Sequence, residues 1–358
     1  MSRFRKVVSG IMLALGMAIP VAAFATVSVA SFNIQNLGWQ NSKDYKTVAL
    51  ITSSFDVVAV QEVMNEEGAE RLHRALEKVS GEAWSYMMSH LIGRGSYKEA
   101  YAIYSRDSAA RYLDGAVVYL DPEDTFAREP FSARYQSVRT GDVFALANLH
   151  VLYGNRVSDR LPEIDYLASY WEWLKEIYPD TPIILAGDFN LDVGHEGFTA
   201  LLDQSARLAI EDQGSTTISP INGRYANNYD HIFVSPSVNV TSNGVLRFPQ
   251  WLGMTHEEAR ETVSDHVPVW IGLNGGDIKL PETELYEVER PVAMGAEGCI
   301  DINQSSQEEL VQLPHVGEAR AVNIVEGRPW SSADSLSDIS GLSPARVTEI
   351  INTNQLCP

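Results

Sequence analysis

The stretch Pro182-Ile183-Ile184-Leu185-Ala186-Gly187-Asp188-Phe189-Asn190 constrains the fold more than any other in the chain: a short apolar run stops abruptly at a carboxylate and a carboxamide. An uninterrupted run of this length bounded by Pro and Gly suits a strand buried on both faces, and Gly187 permits close approach of backbone to whatever the tip holds. Alternation along an extended segment puts Asp188 and Asn190 on one side, two hard oxygen donors of the kind a divalent cation or a phosphoryl group accepts.

The same pattern recurs along the chain. Val27 to Asn33 alternates and ends in an amide; Asp56 to Val63 is apolar and carries Glu62 near its end; Val143 to Val151 finishes beside His150. A Gly-rich loop holding Tyr97 and Glu99 runs into another strand; Tyr229-Asp230-His231 opens one, and Ser264-Asp265-His266 stands at the mouth of the last. Helical periodicity is expected over 43–53, 66–79, 159–178 and around 198–203. Many strands separated by a few helices, each with a polar terminus, describe a layered α/β sandwich, two packed β-sheets flanked by helices, with functional groups along one rim.

At 358 residues with 45% hydrophobic content, the chain has room for one large domain and a smaller one. Residues 1–25 read as a signal peptide: Arg3, Arg5 and Lys6 precede an apolar run, and Ala23-Phe24-Ala25 offers a cleavage site. Gly10, Gly16 and Pro20 interrupt that run and no stop-transfer flank follows. An exported, monomeric mature chain without a membrane anchor is therefore expected. Losing those three bases takes the formal charge from −20 to −23. Such acidity excludes broad electrostatic attraction to nucleic acid, and 20 Arg against 7 Lys in an acid-rich chain suggests a salty habitat.

The polar strand ends supply Asn33, Glu62, Glu99, His150, Asp188, Asn190, Asp230, Asp265 and His266. Phosphodiester hydrolysis needs these types: a base for water, an acid for the leaving oxygen, and a divalent cation with neutral donors for the charge growing on phosphorus. Two histidines can share the acid and base roles, and Glu99 and Asp230 are available to orient them. Glu62, Asp188 and Asp265 suit a hard cation such as Mg2+, with Ca2+ or Mn2+ as further candidates, while few Cys or His remain for zinc.

These residues resemble the deoxyribonuclease I family. Ser31-Phe32-Asn33-Ile34, Gln61-Glu62-Val63, Ser96-Tyr97-Lys98-Glu99, Arg128-Glu129-Pro130, Leu149-His150, Gly187-Asp188-Phe189-Asn190, Tyr229-Asp230 and Ser264-Asp265-His266 match it in order and approximate spacing over residues 28–273. The resemblance implies that His150 with Glu99 and His266 with Asp230 are acid–base couples. It implies that Glu62 and Asp265 hold the metal, with Asn33, Asp188 and Asn190 organising the phosphate and a second cation. Arg128 would contact a phosphate, and Tyr97 a minor-groove sugar. Two departures stand out: Met64 occupies the place of a groove-reading Arg, and residues 26–274 contain no cysteine. Within the same superfamily, a phosphatase or phospholipase is the alternative activity; a DNA-binding uptake or adhesion protein without catalysis is the alternative class.

Residues 275–298 read as an acidic, Pro-containing linker, and 299–358 as a small all-α C-terminal domain. Within it Leu313-Pro314-His315-Val316-Gly317 and Ile339-Ser340-Gly341-Leu342-Ser343 each join two helical stretches, an internal repeat that resembles paired helix-hairpin-helix modules of DNA-binding proteins. His315 and Ser343 stand where glycines are usual. With eight acids against three arginines this module cannot bind through a basic patch. Backbone N–H groups around Val316, Gly317 and Gly341, aided by Arg320 and Arg346, would hold phosphates of double-stranded DNA with a shallow salt dependence. Cys299 and Cys357 bracket the domain, and in an exported chain are expected to pair, a crosslink worth about 4 kcal/mol.

Overall fold

The structure, a computed structural model, describes residues 27–39, 42–211, 213–281 and 300–356, apart from 304, 329, 331, 340 and 354. The expected signal peptide, most of the linker and both cysteines lie outside the described residues.

The first half of the larger domain contains β1 (Val27–Leu37), α1 (Tyr45–Thr52), β2 (Val57–Val63), α2 (Glu66–Ser80), β3 (Trp84–Met88) and β4 (Ala100–Arg106). Next come β5 (Ala110–Val118), β6 (Phe131–Ser137), β7 (Val143–His150), α3 (Leu161–Ile177), β8 (Ile183–Asp188), α4 (Thr199–Asp203) and β9 (Arg207–Leu208). The domain closes with β10 (Asp230–Val234), β11 (Val240–Val245), α5 (Phe248–Leu252), α6 (His256–Thr262) and β12 (Val269–Leu273). Two six-stranded sheets result, ordered β11-β12-β1-β2-β4-β3 and β5-β6-β7-β8-β10-β9.

Burial on both faces explains the unbroken apolar runs. Val57 and Ala59 of β2 face the core between the sheets with Ile103, Leu146, Ile184 and Ile232, whereas Val58 and Val60 pack outward against Leu72 and Leu76 of α2. Leu185 of β8 likewise turns outward onto Trp171 and Leu167 of α3. This is the expected sandwich of two packed sheets flanked by helices.

One polar bridge crosses the inter-sheet core. Asn148 on β7 donates to the carbonyls of Val60 and Ala102 at 3.0 and 3.2 Å and accepts from Gln61 Nε2 at 2.6 Å. Gly187 has a neighbour other than the one expected: a Cβ there would stand 2.1 Å from the Leu149 carbonyl oxygen, so the small residue admits strand β7, not a ligand at the tip.

The C-terminal segment holds α7 (Gln307–Leu310), α8 (Glu318–Glu326) and α9 (Pro344–Asn352). Its core displays the internal repeat directly: Leu310, Leu313, Val316, Ala321 and Ile324 recur 26 residues later as Leu336, Ile339, Leu342, Val347 and Ile350, all buried. The hairpins are closed in the same way, Arg320 donating to His315 O at 2.7 Å and Arg346 to Gly341 O at 2.9 Å. His315 and Gly341 both adopt positive φ, +62° and +87°.

Candidate active site

Strand register assembles the centre of the site. Parallel pairing of β7 with β8 sets His150 opposite Asp188, and antiparallel pairing of β10 with β8 sets Asp230 opposite Asp188. Three neighbouring strand ends therefore deliver an imidazole and two carboxylates side by side. Across the sandwich, pairing between β2 and β4 slips between Val60 and Val63, and Glu62 takes a left-handed φ of +60°. This bulge turns the Glu62 carboxylate into the cleft instead of along the sheet face, a strain of the kind met at functional sites.

Two histidine couples face one another. His150 Nδ1 lies 2.7 Å from Glu99 Oε1 and His266 Nδ1 lies 2.8 Å from Asp230 Oδ2, while each Nε2 stands 3.6 Å from Asp188 Oδ2. Burial pulls both imidazoles down, but the adjacent carboxylates outweigh it: His150 is held above its ordinary pKa, and His266 well above. Glu99 is lowered, the cost of its burial being exceeded by His150 and Arg128. Burial and the nearby Asp230 charge raise Asp188 against the pull of the two histidines.

Around this centre the remaining expected residues divide. Asn33 Nδ2 bridges Glu62 Oε1 at 3.0 Å and Asp188 Oδ2 at 3.1 Å, while its oxygen accepts the Gln35 N–H at 2.9 Å. Asn33 thus donates between two carboxylates of the site. Asn190 does not share a face with Asp188. The strand ends at Asp188, Asn190 adopts φ +51°, and its amide turns back to Val151 O.

Arg128 is buried at the cleft wall; it donates to His150 O and Val151 O and lies 3.4 Å from Glu99, so it braces the His150 couple. Tyr97 is half-exposed at the rim, its phenol pushed up by partial burial and by Glu62 and Glu99. Met64 is buried and does not line the cleft. In the C-terminal segment Val316 is a core residue whose N–H bonds to Leu313 O, which corrects its expected role as a phosphate donor. Arg320 and Arg346 each direct one guanidinium N–H at a hairpin carbonyl, beside Gly317, the N-cap of α8, and Gly341.

Several contributors carried no signal in sequence. Thr216, inside a loop of small polar residues, donates its hydroxyl to Asp230 Oδ2 at 2.6 Å and fixes that carboxylate. Lys43 Nζ donates to Val263 O at 2.6 Å, and burial lowers its pKa to about 8 against the pull of Asp265 and Glu62. Arg260 stands 3.7 Å from Asp265. Nothing local distinguishes these from surface residues; the partner of Lys43 lies 220 residues away, and the others are brought together by loops without periodicity.

The cleft has a volume of about 740 Å³ and is lined by Glu62, Tyr97, His150, Asp188, Asp265 and His266 among others. A divalent cation fits this donor set. Asp188, Asp230 and His266 bring ligand atoms within 4.8 Å of one another, and Asp230 Oδ1 is buried without a hydrogen-bond partner. Glu62 and Asp265, by contrast, are only partly buried and remain open to a hydrated ion from the cleft. A second group, Asp121, Asp124 and Glu129, meets the same spacing, with Asp121 Oδ1 also buried and unpartnered. It could hold a cation in the loop that contains Arg128.

Comparison with known proteins decides the family. Residues 30–266 match the model of the endonuclease/exonuclease/phosphatase family, and residues 295–352 that of the helix-hairpin-helix motif. The chain belongs to the endonuclease/exonuclease/phosphatase family. It is 42% identical over 349 residues to a protein named deoxyribonuclease from Thioalkalivibrio sp. (strain K90mix), covering 95% of this chain and 94% of that one. Human deoxyribonuclease-1 is 28% identical over 285 residues, 72% of this chain and 96% of its own. Among solved structures, a mannosyl-6-phosphatase of Bacteroides thetaiotaomicron superposes with a TM-score of 0.52 at 19% identity, covering 69% of this chain and 99% of that one. That likeness carries the fold of the family and nothing finer.

Proposed function

We propose that this chain is a divalent-cation-dependent deoxyribonuclease that hydrolyses phosphodiester bonds within double-stranded DNA, with His150 and His266 as its acid–base pair. The observation that carries the reading is the mirrored pair of couples: two imidazoles, each clamped at Nδ1 by a buried carboxylate, present Nε2 toward one shared oxygen of Asp188. A phosphate seated between them has a proton acceptor on one side and a donor on the other. One imidazole takes the proton of the attacking water as the new P–O bond forms, and the other returns a proton to the departing sugar oxygen as the old bond breaks. Glu99 and Asp230 hold both rings in the tautomer that presents Nε2.

Glu62 and Asp265 are the residues placed to hold Mg2+, or Mn2+ in its stead, and Asp121, Asp124 and Glu129 those placed for Ca2+. When bound at Glu62 and Asp265, the cation would withdraw charge from the non-bridging phosphate oxygens. Asn33 and Asn190 order the carboxylates and backbone around Asp188.

DNA is favoured over other phosphate esters by the name of the 42% identical relative and by the helix-hairpin-helix match. Export follows from residues 1–25, and a monomer without a membrane anchor is the simplest form; no helix among the described residues is long and apolar enough to cross a membrane. The test is relaxation of supercoiled plasmid by the mature protein in Mg2+, with EDTA and His150→Ala as controls. Nicking abolished by both supports the reading. Failure of folded protein to nick, with turnover of sugar or inositol phosphates, would transfer it to the phosphatase branch of the same fold.

A further inference from the structure

On this reading the enzyme must grip a polyanion with a cleft that has almost no free positive charge. Among the described residues lining the cleft the arginines are Arg128 and Arg260. Arg128 is held by Glu99 and two carbonyls, and Arg260 by Asp265 and the Ile218 carbonyl. Met64 is withdrawn into the core, and the chain as a whole carries a formal charge of −20. Counterion release, the usual source of affinity for DNA, is correspondingly small.

The rim offers a different surface. Trp39 is 47% exposed and Tyr97 41% exposed; their rings meet edge to face, 5.7 Å apart at 85°, and both line the cleft that contains the two histidines. Trp39 stands on a stiff base. Gln35, Asn36 and Gly38 all adopt positive φ, Trp39 N–H bonds to Asn36 O, and Asn65 Nδ2 grips Gly38 O at 2.7 Å. A methyl group on Gly68 would come within 2.5 Å of Gly38 Cα, so the loop is pressed directly onto the start of α2. An indole held half in water by a rigid loop, beside a second exposed ring and next to the reacting centre, is placed for a flat partner.

We propose that Trp39, packed edge to face against Tyr97, grips DNA at the rim of the cleft by laying aromatic surface against its sugars and bases, a contact that stands in for the missing free positive charge. Contact of this kind buries apolar surface and is not screened, so the affinity it supplies persists at salt concentrations that abolish phosphate contacts. Trp39 is not a member of either acid–base couple, so its contribution falls in KM.

Steady-state nicking of a defined duplex by the full-length mature protein tests this, with wild type, W39A, W39F and W39R compared at about 0.1 M and about 1 M NaCl. The expected result is that W39A raises KM about 10-fold at both salts while kcat moves far less, and that W39F restores most of the loss. W39R should bind well at low salt and lose that advantage at high salt. A KM for W39A within twofold of wild type at both salts overturns the proposal, as does a loss confined to low salt or one that appears in kcat alone. Absence of nicking by wild type would instead strike the nuclease reading itself, which leaves the two failures distinct.

Discussion

Replacing Asp230 by Asn changes one atom and removes one buried charge, and the hydrogen bonds around that carboxylate dictate the outcome. Asp230 Oδ2 accepts from His266 Nδ1 at 2.8 Å and from Thr216 Oγ1 at 2.6 Å. The Thr216 hydroxyl cannot reverse its role easily, because its oxygen already accepts the N–H groups of Tyr229 and Asp230 at 3.1 Å. Two arrangements are open to the amide. If its oxygen keeps both donors, the NH2 group falls at the Oδ1 position, which is buried and has no partner; that costs about 1–3 kcal/mol of stability, and the charge that raised His266 is lost. If its NH2 group faces His266, the imidazole must take the other tautomer and the Thr216 bond is broken. In the first arrangement Nε2 stays free but the protonated ring loses the charge that stabilises it; in the second Nε2 carries the proton and can no longer accept one. Loss of an orienting carboxylate in comparable couples lowers turnover by about 10⁴, so kcat should fall by about 10³ to 10⁴, or about 4 to 5.5 kcal/mol. Plasmid nicking followed from pH 5 to 9 checks this. The limb that belongs to His266 should also move toward acid, since the carboxylate raises its pKa; movement of the acidic limb marks His266 as the base, movement of the alkaline limb as the acid. A fall of less than about tenfold in folded D230N, with both limbs unmoved, would refute the assignment of this couple.

Other expectations rest on the same geometry. Glu62→Gln should weaken Mg2+ binding measured by calorimetry by at least about tenfold without loss of fold, because the carboxylate sits at the cleft rim; unchanged affinity would move the ion to Asp188 and Asp230. His231 is buried between Gln213 Nε2 and Leu191 O, and its pKa is lowered to about 4, chiefly by burial. The unfolded chain therefore takes up this proton first, and stability should fall by up to about 3 kcal/mol as pH drops from about 6.5 toward 4. Urea unfolding of wild type and His231→Gln over that range tests it, since a slope that survives in the variant would place the effect elsewhere. Binding of duplex DNA by the full-length protein should show a shallow logarithmic salt dependence and lose affinity on deletion of residues 275–358; a slope of several ions would show that a basic surface does the binding after all.

Much of this architecture was legible in the chain. Uninterrupted apolar runs such as Val57 to Val60 and Ile183 to Ala186 announced strands buried on both faces, and their polar ends announced a lined rim. The repeat in the C-terminal segment could be read because each copy is a local pattern. Edge strands such as β3 and β11 escaped notice, being short and only partly buried, so that their alternation is weak.

The amino-acid sequence by itself determined which faces are apolar, where strands stop, and which chemical groups stand at the stops, since all of these depend on neighbours a few residues apart. Only the tertiary structure decided how those groups meet. The register that sets Asp188 between His150 and Asp230, the bulge that turns Glu62 inward, the placing of Asn33 between Glu62 and Asp188, and the exposure of Trp39 beside Tyr97 depend on contacts across the sheets. Asn33 and Asp188 are 155 residues apart when they bond. No local periodicity encodes a partner at that distance; it is selected by the packing of the whole sandwich.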